Sequence, residues 1–417
     1  MLELDERVWR LPGPKGFVRD IVAEHRRGRH VATVLPQSLA ADVVFTDSLS
    51  VALLEEFAGQ SVNARRVYDA GPDASVLETF CQALIFDDQP ATIPDLLIHP
   101  EVRDVVAVVV AQDLRAPARD ELAPFLRRVE LETHATGPAR RLSIVAIVTR
   151  SQLPAFPGGA SSDIALTSIW WWARIARWDV AAHIAGMAGQ PRLSGVLEEV
   201  RAESIVELAR WDLGLAERLA TGWAGELSAL SSLLRECGSA PANGKSDTAG
   251  KMGAAARVWK GAAAAGDGLR PPDPDLELWD RRAVDGWHDR QSVTAYSLAA
   301  APDKLSRVVW AAQARVLLPW IEECRSALLT RVTETLGTER LAAVLRNRFD
   351  PPVKADTLVE IGVLDKVVQM VIGSGNPELR DAARRLREAR NSLAHLRPLR
   401  LAEQESLVAA CAFLLAE

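Results

Sequence analysis

The sequence predicts an α/β N-terminal domain built on a parallel sheet, followed by all-α regions that end in a helical bundle. Three observations carry this. Through the first 160 residues, apolar runs of strand length alternate with segments of helical spacing; beyond them helical spacing dominates; and Ala, Leu, Arg and Glu are abundant while tyrosine occurs only twice. At 417 residues the chain exceeds one ordinary core, and 48% hydrophobic with 25% charged residues is a globular balance. The map that follows is an α/β domain over residues 1–160, a helical domain over 161–237, a flexible linker over 238–275, a small connecting element over 276–302 and a helical domain over 303–417.

Phe17 to Arg27 has helical spacing, and His30 to Leu35 is a short β-rich run stopped by Pro36. Ser48 to Phe57 is helical again. Val105 to Ala111 (Val-Val-Ala-Val-Val-Val-Ala) is the strongest strand, Arg119 to Thr133 a helix, and Leu142 to Thr149 another buried strand. Strands that are apolar throughout, joined by helical crossovers, belong to a parallel sheet covered on both faces.

This order resembles the core of a P-loop ATPase of the AAA or STAND kind. In that resemblance Asp113 follows its strand as a Walker B acid would, and Thr149-Arg150 stands where a sensor residue would. A phosphate loop needs glycines, so that backbone N–H groups can wrap the phosphates, and a Lys-Ser/Thr pair. Residues 36–47 (Pro-Gln-Ser-Leu-Ala-Ala-Asp-Val-Val-Phe-Thr-Asp) hold no glycine and no lysine, and Asp42 and Asp47 would repel a triphosphate. The resemblance therefore implies an inactive version, similar to the inactivated STAND modules of bacterial conflict systems, with no nucleotide cofactor. Gly238 to Ser246 nearly spells a phosphate loop, but five residues separate Gly238 from Gly244 where the motif needs four, and a leucine-rich helix precedes it. The Gly, Ala, Pro and Ser content from Gly238 to Pro274 reads as a linker.

Asp163 to Glu236 reads as helical and holds Trp170-Trp171-Trp172, Trp178, Trp211 and Trp223. Three consecutive tryptophans on a helix cannot all face one core, so the cluster is expected to bridge the sheet domain and the bundle; stacking on bases is the alternative. Residues 276–301 suggest a small β or winged element.

The C-terminal region carries the chemistry. Asn376 is an expected N-cap, Pro377 suits the first helical position, and Pro398 discourages continuation past Arg397. Leu379, Leu386 and Leu393 form an apolar stripe, opposite Arg384, Glu388, Asn391 and His395; Arg390 lies about 140° from His395 on the helical wheel. From Asn376 to Arg400 there are seven arginines and three acids; Lys304 to Glu417 carries a formal +3, and the first 303 residues carry −9 of the net −6. Such a basic helix attracts phosphate or is simply a solvated face.

Arg390-Asn391-Ser392-Leu393-Ala394-His395 has the R-N-x-x-x-H form of the motif of HEPN domains, and the run of helices from about Leu305 resembles such a domain. That resemblance implies a homodimer through the motif helices and metal-independent RNA cleavage, the 2′-OH attacking to leave a 2′,3′-cyclic phosphate. His395 would do acid/base work, histidine being the side chain that ordinarily titrates near neutrality. Arg390 would neutralise the scissile phosphate, and Asn391 would orient the imidazole or bond a phosphate oxygen. Catalytic residues are thus expected at Arg390, Asn391 and His395, with RNA as substrate and a partner ATPase or sensor protein possible. Two readings stand: a defence protein in which a nucleotide-independent sensing or docking domain drives an RNase, and a non-catalytic adaptor that dimerises or binds a partner through the same bundle.

Cys81, Cys237, Cys324 and Cys411 are far apart and form no C-x-x-C pair, so buried thiols are expected rather than a zinc site. The other histidines show no metal-ligand spacing. No metal or other cofactor is expected. The acidic Met-Leu-Glu-Leu-Asp-Glu-Arg start and the lack of a run of roughly 18 apolar residues favour a cytoplasmic protein without membrane contact.

Overall fold

A computed structural model describes residues 6–85, 90–136, 141–153, 165–187, 195–238, 270–349 and 359–415. The chain divides into two units. The first comprises Met1–His183 and Ser246–Thr294, the second Ile184–Lys245 and Ala295–Glu417.

The first unit is built on β1 (His30–Leu35), β2 (Asn63–Val67), β3 (Val105–Val110), β4 (Ser143–Thr149) and β5 (Leu166–Trp170), all parallel, in the order β2-β3-β4-β1-β5. This is a P-loop-like α/β fold. Every residue of β1, β3 and β4 is buried, which is why each reads as a mainly apolar run. The helices predicted from Phe17, Ser48 and Arg119 are Pro12–Arg26, Val43–Ala58 and Ala118–Thr136. Pro12–Arg26 buries Phe17, Val18, Ile21 and Val22 in one stripe.

The helical reading of the chain after Asp163 is corrected at β5, and with it the account of the tryptophans. Trp170 ends a strand, and successive side chains of extended backbone point to opposite sides. Trp171 packs among Trp9, Phe17 and Phe45 at ring distances of 5.8, 4.8 and 5.3 Å, while Trp170 meets Trp279 at 5.4 Å. All three are buried within the first unit, and the Trp279 indole N–H donates to the Trp171 carbonyl at 3.1 Å. They are core residues of the first unit and, being buried, offer no face for stacking on bases.

The segment expected to form a small β element is a hairpin, β6 (Val284–Trp287) against β7 (Arg290–Val293), turned by His288 and Asp289 at φ of 51° and 55°. Gly286 is required there, since a Cβ would lie 2.6 Å from that of Ala173. The linker assigned to 238–275 falls mostly outside the described residues, as does the Gly244-Lys245-Ser246 sequence.

The second unit is helical. A long helix, Pro302–Leu336, packs against Val196–Ala209 and against the motif helix, Pro377–Ala394. Its Leu317, Ile321, Cys324, Leu328 and Val332 share a core with Leu379, Ala382, Leu386 and Leu393 of the motif helix and with Leu407 and Cys411 of the helix Leu401–Cys411. Cys81, Cys324 and Cys411 are free and buried. No helix among the described residues is long and apolar enough to cross a membrane, and no three His, Cys, Asp or Glu side chains there gather as metal ligands.

Candidate functional site

The motif helix begins as its sequence requires. The Asn376 side chain accepts from the Leu379 N–H at 3.0 Å, and Pro377 occupies the first turn, where no N–H is needed. Leu379, Leu386 and Leu393 are buried, which sets the opposite face toward solvent.

Its other end positions the candidate histidine. His395 is the C-cap, Leu396 follows in the left-handed region at φ 59°, the Arg397 N–H returns to the Ser392 carbonyl at 3.0 Å and the Leu396 N–H to the Leu393 carbonyl at 3.2 Å. This is a complete Schellman stop with leucine at the position that ordinarily takes glycine. The turn carries Arg397 back over the helix, where its guanidinium donates to the Ser392 hydroxyl at 2.8 Å. The long helix holds the turn from behind. The Trp310 indole N–H donates to the Leu393 carbonyl at 2.7 Å, and the buried Gln313 amide both donates to the Leu399 carbonyl at 2.9 Å and accepts from the Leu399 N–H at 2.7 Å.

A groove of about 510 Å³ opens beside this turn, between the motif helix and Leu401–Cys411. Asn391 and His395 line it, together with Arg385, Arg387, Glu388, Ser392, Arg397 and Glu403. Arg387 is anchored to the fully buried Asp365 at 2.9 Å, and the Gln369 amide donates to the other oxygen of that carboxylate at 2.9 Å. Arg390 does not line the groove. It is exposed on the flank of the helix, as its 140° offset from His395 requires. One chain thus brings together two of the three predicted residues and leaves the third facing away. Sequence reasoning overlooked Arg397, because a glycine-free turn gave no sign that the chain doubles back there.

The C-terminal edge of the first unit's sheet, where ligands of such folds lie, is occupied by the chain's own charges. Asp42 caps the helix Val43–Ala58, its carboxylate accepting from the N–H groups of Val44 at 3.1 Å and Phe45 at 3.3 Å. Those are donors that an anion at a helix N-terminus would use. Asp280 meets the Arg150 guanidinium at 3.0 Å and interacts with the Gln37 N–H; burial, opposed by these partners, holds its carboxyl above the ordinary range. Asp113, the Walker B-like acid, is paired with Arg66 at 2.6 Å, and Arg66 also holds Asp47 at 2.5 Å. Thr149 is buried, and its hydroxyl bonds Ser151 and Gln152. Arg66, on β2, was missed because Asn-Ala-Arg-Arg-Val does not read as a strand.

His30 is a structural histidine. Fully buried, it accepts from the Ile144 N–H at 3.0 Å through Nδ1 and bonds the Thr133 hydroxyl at 2.9 Å through Nε2, and burial first, with Arg141 and His25 nearby, pushes its pKa down to about 3.

No protein-family model and no curated protein matches the chain. A solved structure described as the Aeropyrum pernix ORC2 protein in ADPNP–ADP complexes is similar across 91% of this chain and 92% of that one, at 10% identity and a TM-score of 0.26.

Proposed function

We propose that the second unit is a HEPN-like effector that cleaves RNA without a metal, and that the first unit senses or docks a partner without using nucleotide, as in a cytoplasmic bacterial defence system. The observation that supports this most is the groove at the capped end of the motif helix. It gathers His395, Asn391 and the guanidinium groups of Arg385, Arg387 and Arg397 at one place, and phosphodiester cleavage needs acid/base chemistry beside positive charge. Arg390, exposed on the other flank, would act across a two-fold pair of motif helices, so that each site draws His395 from one protomer and Arg390 from its partner.

Cleavage would proceed by attack of the ribose 2′-OH on the adjacent phosphorus, leaving a 2′,3′-cyclic phosphate and a free 5′-OH. His395→Ala tests this. The side chain is exposed, so folding should survive, while cleavage of tRNA, rRNA or single-stranded RNA in the presence of EDTA should fall by about 10²-fold or more. Equal, EDTA-insensitive activity of the variant would remove His395 from the chemistry.

A non-catalytic adaptor is the second reading, and the pairing of the groove's arginines favours it. Arg387 and Arg397 already have protein partners in Asp365 and Ser392. Wild-type protein inert on every RNA, yet dimeric or bound to a partner through this bundle, would establish that reading.

A further inference from the structure

We propose that Glu388 is a second acid/base group of the same groove, taking the proton from the 2′-OH while His395 protonates the leaving 5′-oxygen. The inference rests on the RNA-cleavage reading and adds a residue that the R-N-x-x-x-H motif does not contain.

The geometry is that of one helical row. Glu388 stands seven residues before His395, two turns, so the two side chains leave the helix within about 20° of one another and about 10 Å apart along its axis. That span is filled by one phosphodiester and two hydrogen bonds of about 3 Å each. Asn391 lies between them, three residues from one and four from the other, at the height where a non-bridging phosphate oxygen would sit. All three line the same groove.

Glu388 is also available. It is exposed, and no ion pair engages it among the described residues, whereas Asp365 and Asp381 are both taken by arginines. The charges facing it are Arg384, Arg385 and Arg387 on its own helix, Arg397 from the capping turn and Glu403 from Leu401–Cys411. The excess positive charge has a use, since the pentacovalent phosphorane gains negative charge as the bond forms.

The proton balance closes without a further reactant. The 2′-oxygen bonds to phosphorus as its proton passes to Glu388, and the bond from phosphorus to the 5′-oxygen breaks as the His395 imidazolium gives up its proton. Water then exchanges both groups back. A protein with this pair has a bell-shaped pH profile, rising as Glu388 loses its proton and falling as His395 does.

The test is the pH-rate profile of full-length wild type, Glu388→Gln and His395→Ala on one RNA. Glu388→Gln should fold normally, since the residue is exposed, lower the rate by about 10²- to 10⁴-fold and lose the rising limb while keeping the falling one. Glu388→Asp should restore part of the rate and the rising limb. A Glu388→Gln enzyme with wild-type rate and both limbs, beside an inactive His395→Ala, overturns the role of Glu388 and leaves the nuclease standing. Wild type that cleaves no RNA at any pH overturns both.

Discussion

Replacing Asp285 by Asn should make the stability of the first unit rise with pH more steeply than that of the wild type. Two buried groups of that unit titrate in opposite senses. His30 has its pKa lowered from 6.5 to about 3 by burial, with Arg141 and His25 adding to the effect. Asp285 is raised from 3.8 to about 7 by burial, against the Ala173 and Gly286 N–H groups that donate to it at 2.8 and 2.7 Å and the charges of Arg282 and Arg174. Between their folded and unfolded pKa values the unfolded chain binds one proton more at His30, so stability climbs with pH from about 3 to 6.5. At Asp285 the folded chain binds one proton more, so stability falls with pH from 3.8 to about 7. Each slope is about 1.4 kcal/mol per pH unit, and they cancel from pH 3.8 to 6.5. Asp285→Asn keeps the two backbone hydrogen bonds through its carbonyl and removes the falling term. The variant should gain about 3 to 4 kcal/mol relative to wild type as pH rises across that window, with most of its advantage present near neutrality. Urea unfolding followed by tryptophan fluorescence reports on this unit through the buried Trp170, Trp171, Trp172 and Trp279, with the same variant in a Trp211→Phe, Trp223→Phe background reducing the share of the second unit. A difference between variant and wild type that is constant from pH 4 to 6.5 would refute the reasoning.

Two further outcomes follow from the same geometry. Leu396→Gly should stabilise the second unit by about 1 kcal/mol, a rise of roughly 2–4 °C in its melting temperature, because leucine is strained at φ 59° and its side chain is 52% exposed and buries little; an unchanged or lower melting temperature would count against the cap. Mg-ATP at millimolar concentration should leave the melting temperature of the first unit unchanged, because Asp42 and Asp280 occupy the loop's N–H donors. A concentration-dependent rise would contradict this.

What the sequence disclosed and what it withheld follow from burial. The strands His30–Leu35, Val105–Val110 and Ser143–Thr149 were legible because strands covered on both faces are mainly apolar along their whole length. Asn63–Val67 was not, because it is an edge strand of the sheet, paired only with β3, and carries Arg66 for a tertiary purpose 47 residues away. Leu166–Trp170 read as helix because Trp171 and Trp172 follow Trp170 without polar alternation, and only the folded unit gives each indole its own neighbours. At the candidate site the helix start, the leucine stripe and the 140° offset of Arg390 could all be calculated beforehand. The return of Arg397 could not, since it depends on leucine accepting a conformation that a sequence reading assigns to glycine.

The carboxylates at the sheet edge have one more consequence. A bound nucleotide stabilises its protein only in proportion to the logarithm of its concentration, so a nucleotide-loaded fold weakens when the pool is depleted. Asp42 is tethered to the helix whose N–H groups it caps and cannot diffuse away. Its contribution is the same in a starved cell as in a growing one. A helix end neutralised in this way stays neutralised whatever anions the surroundings hold.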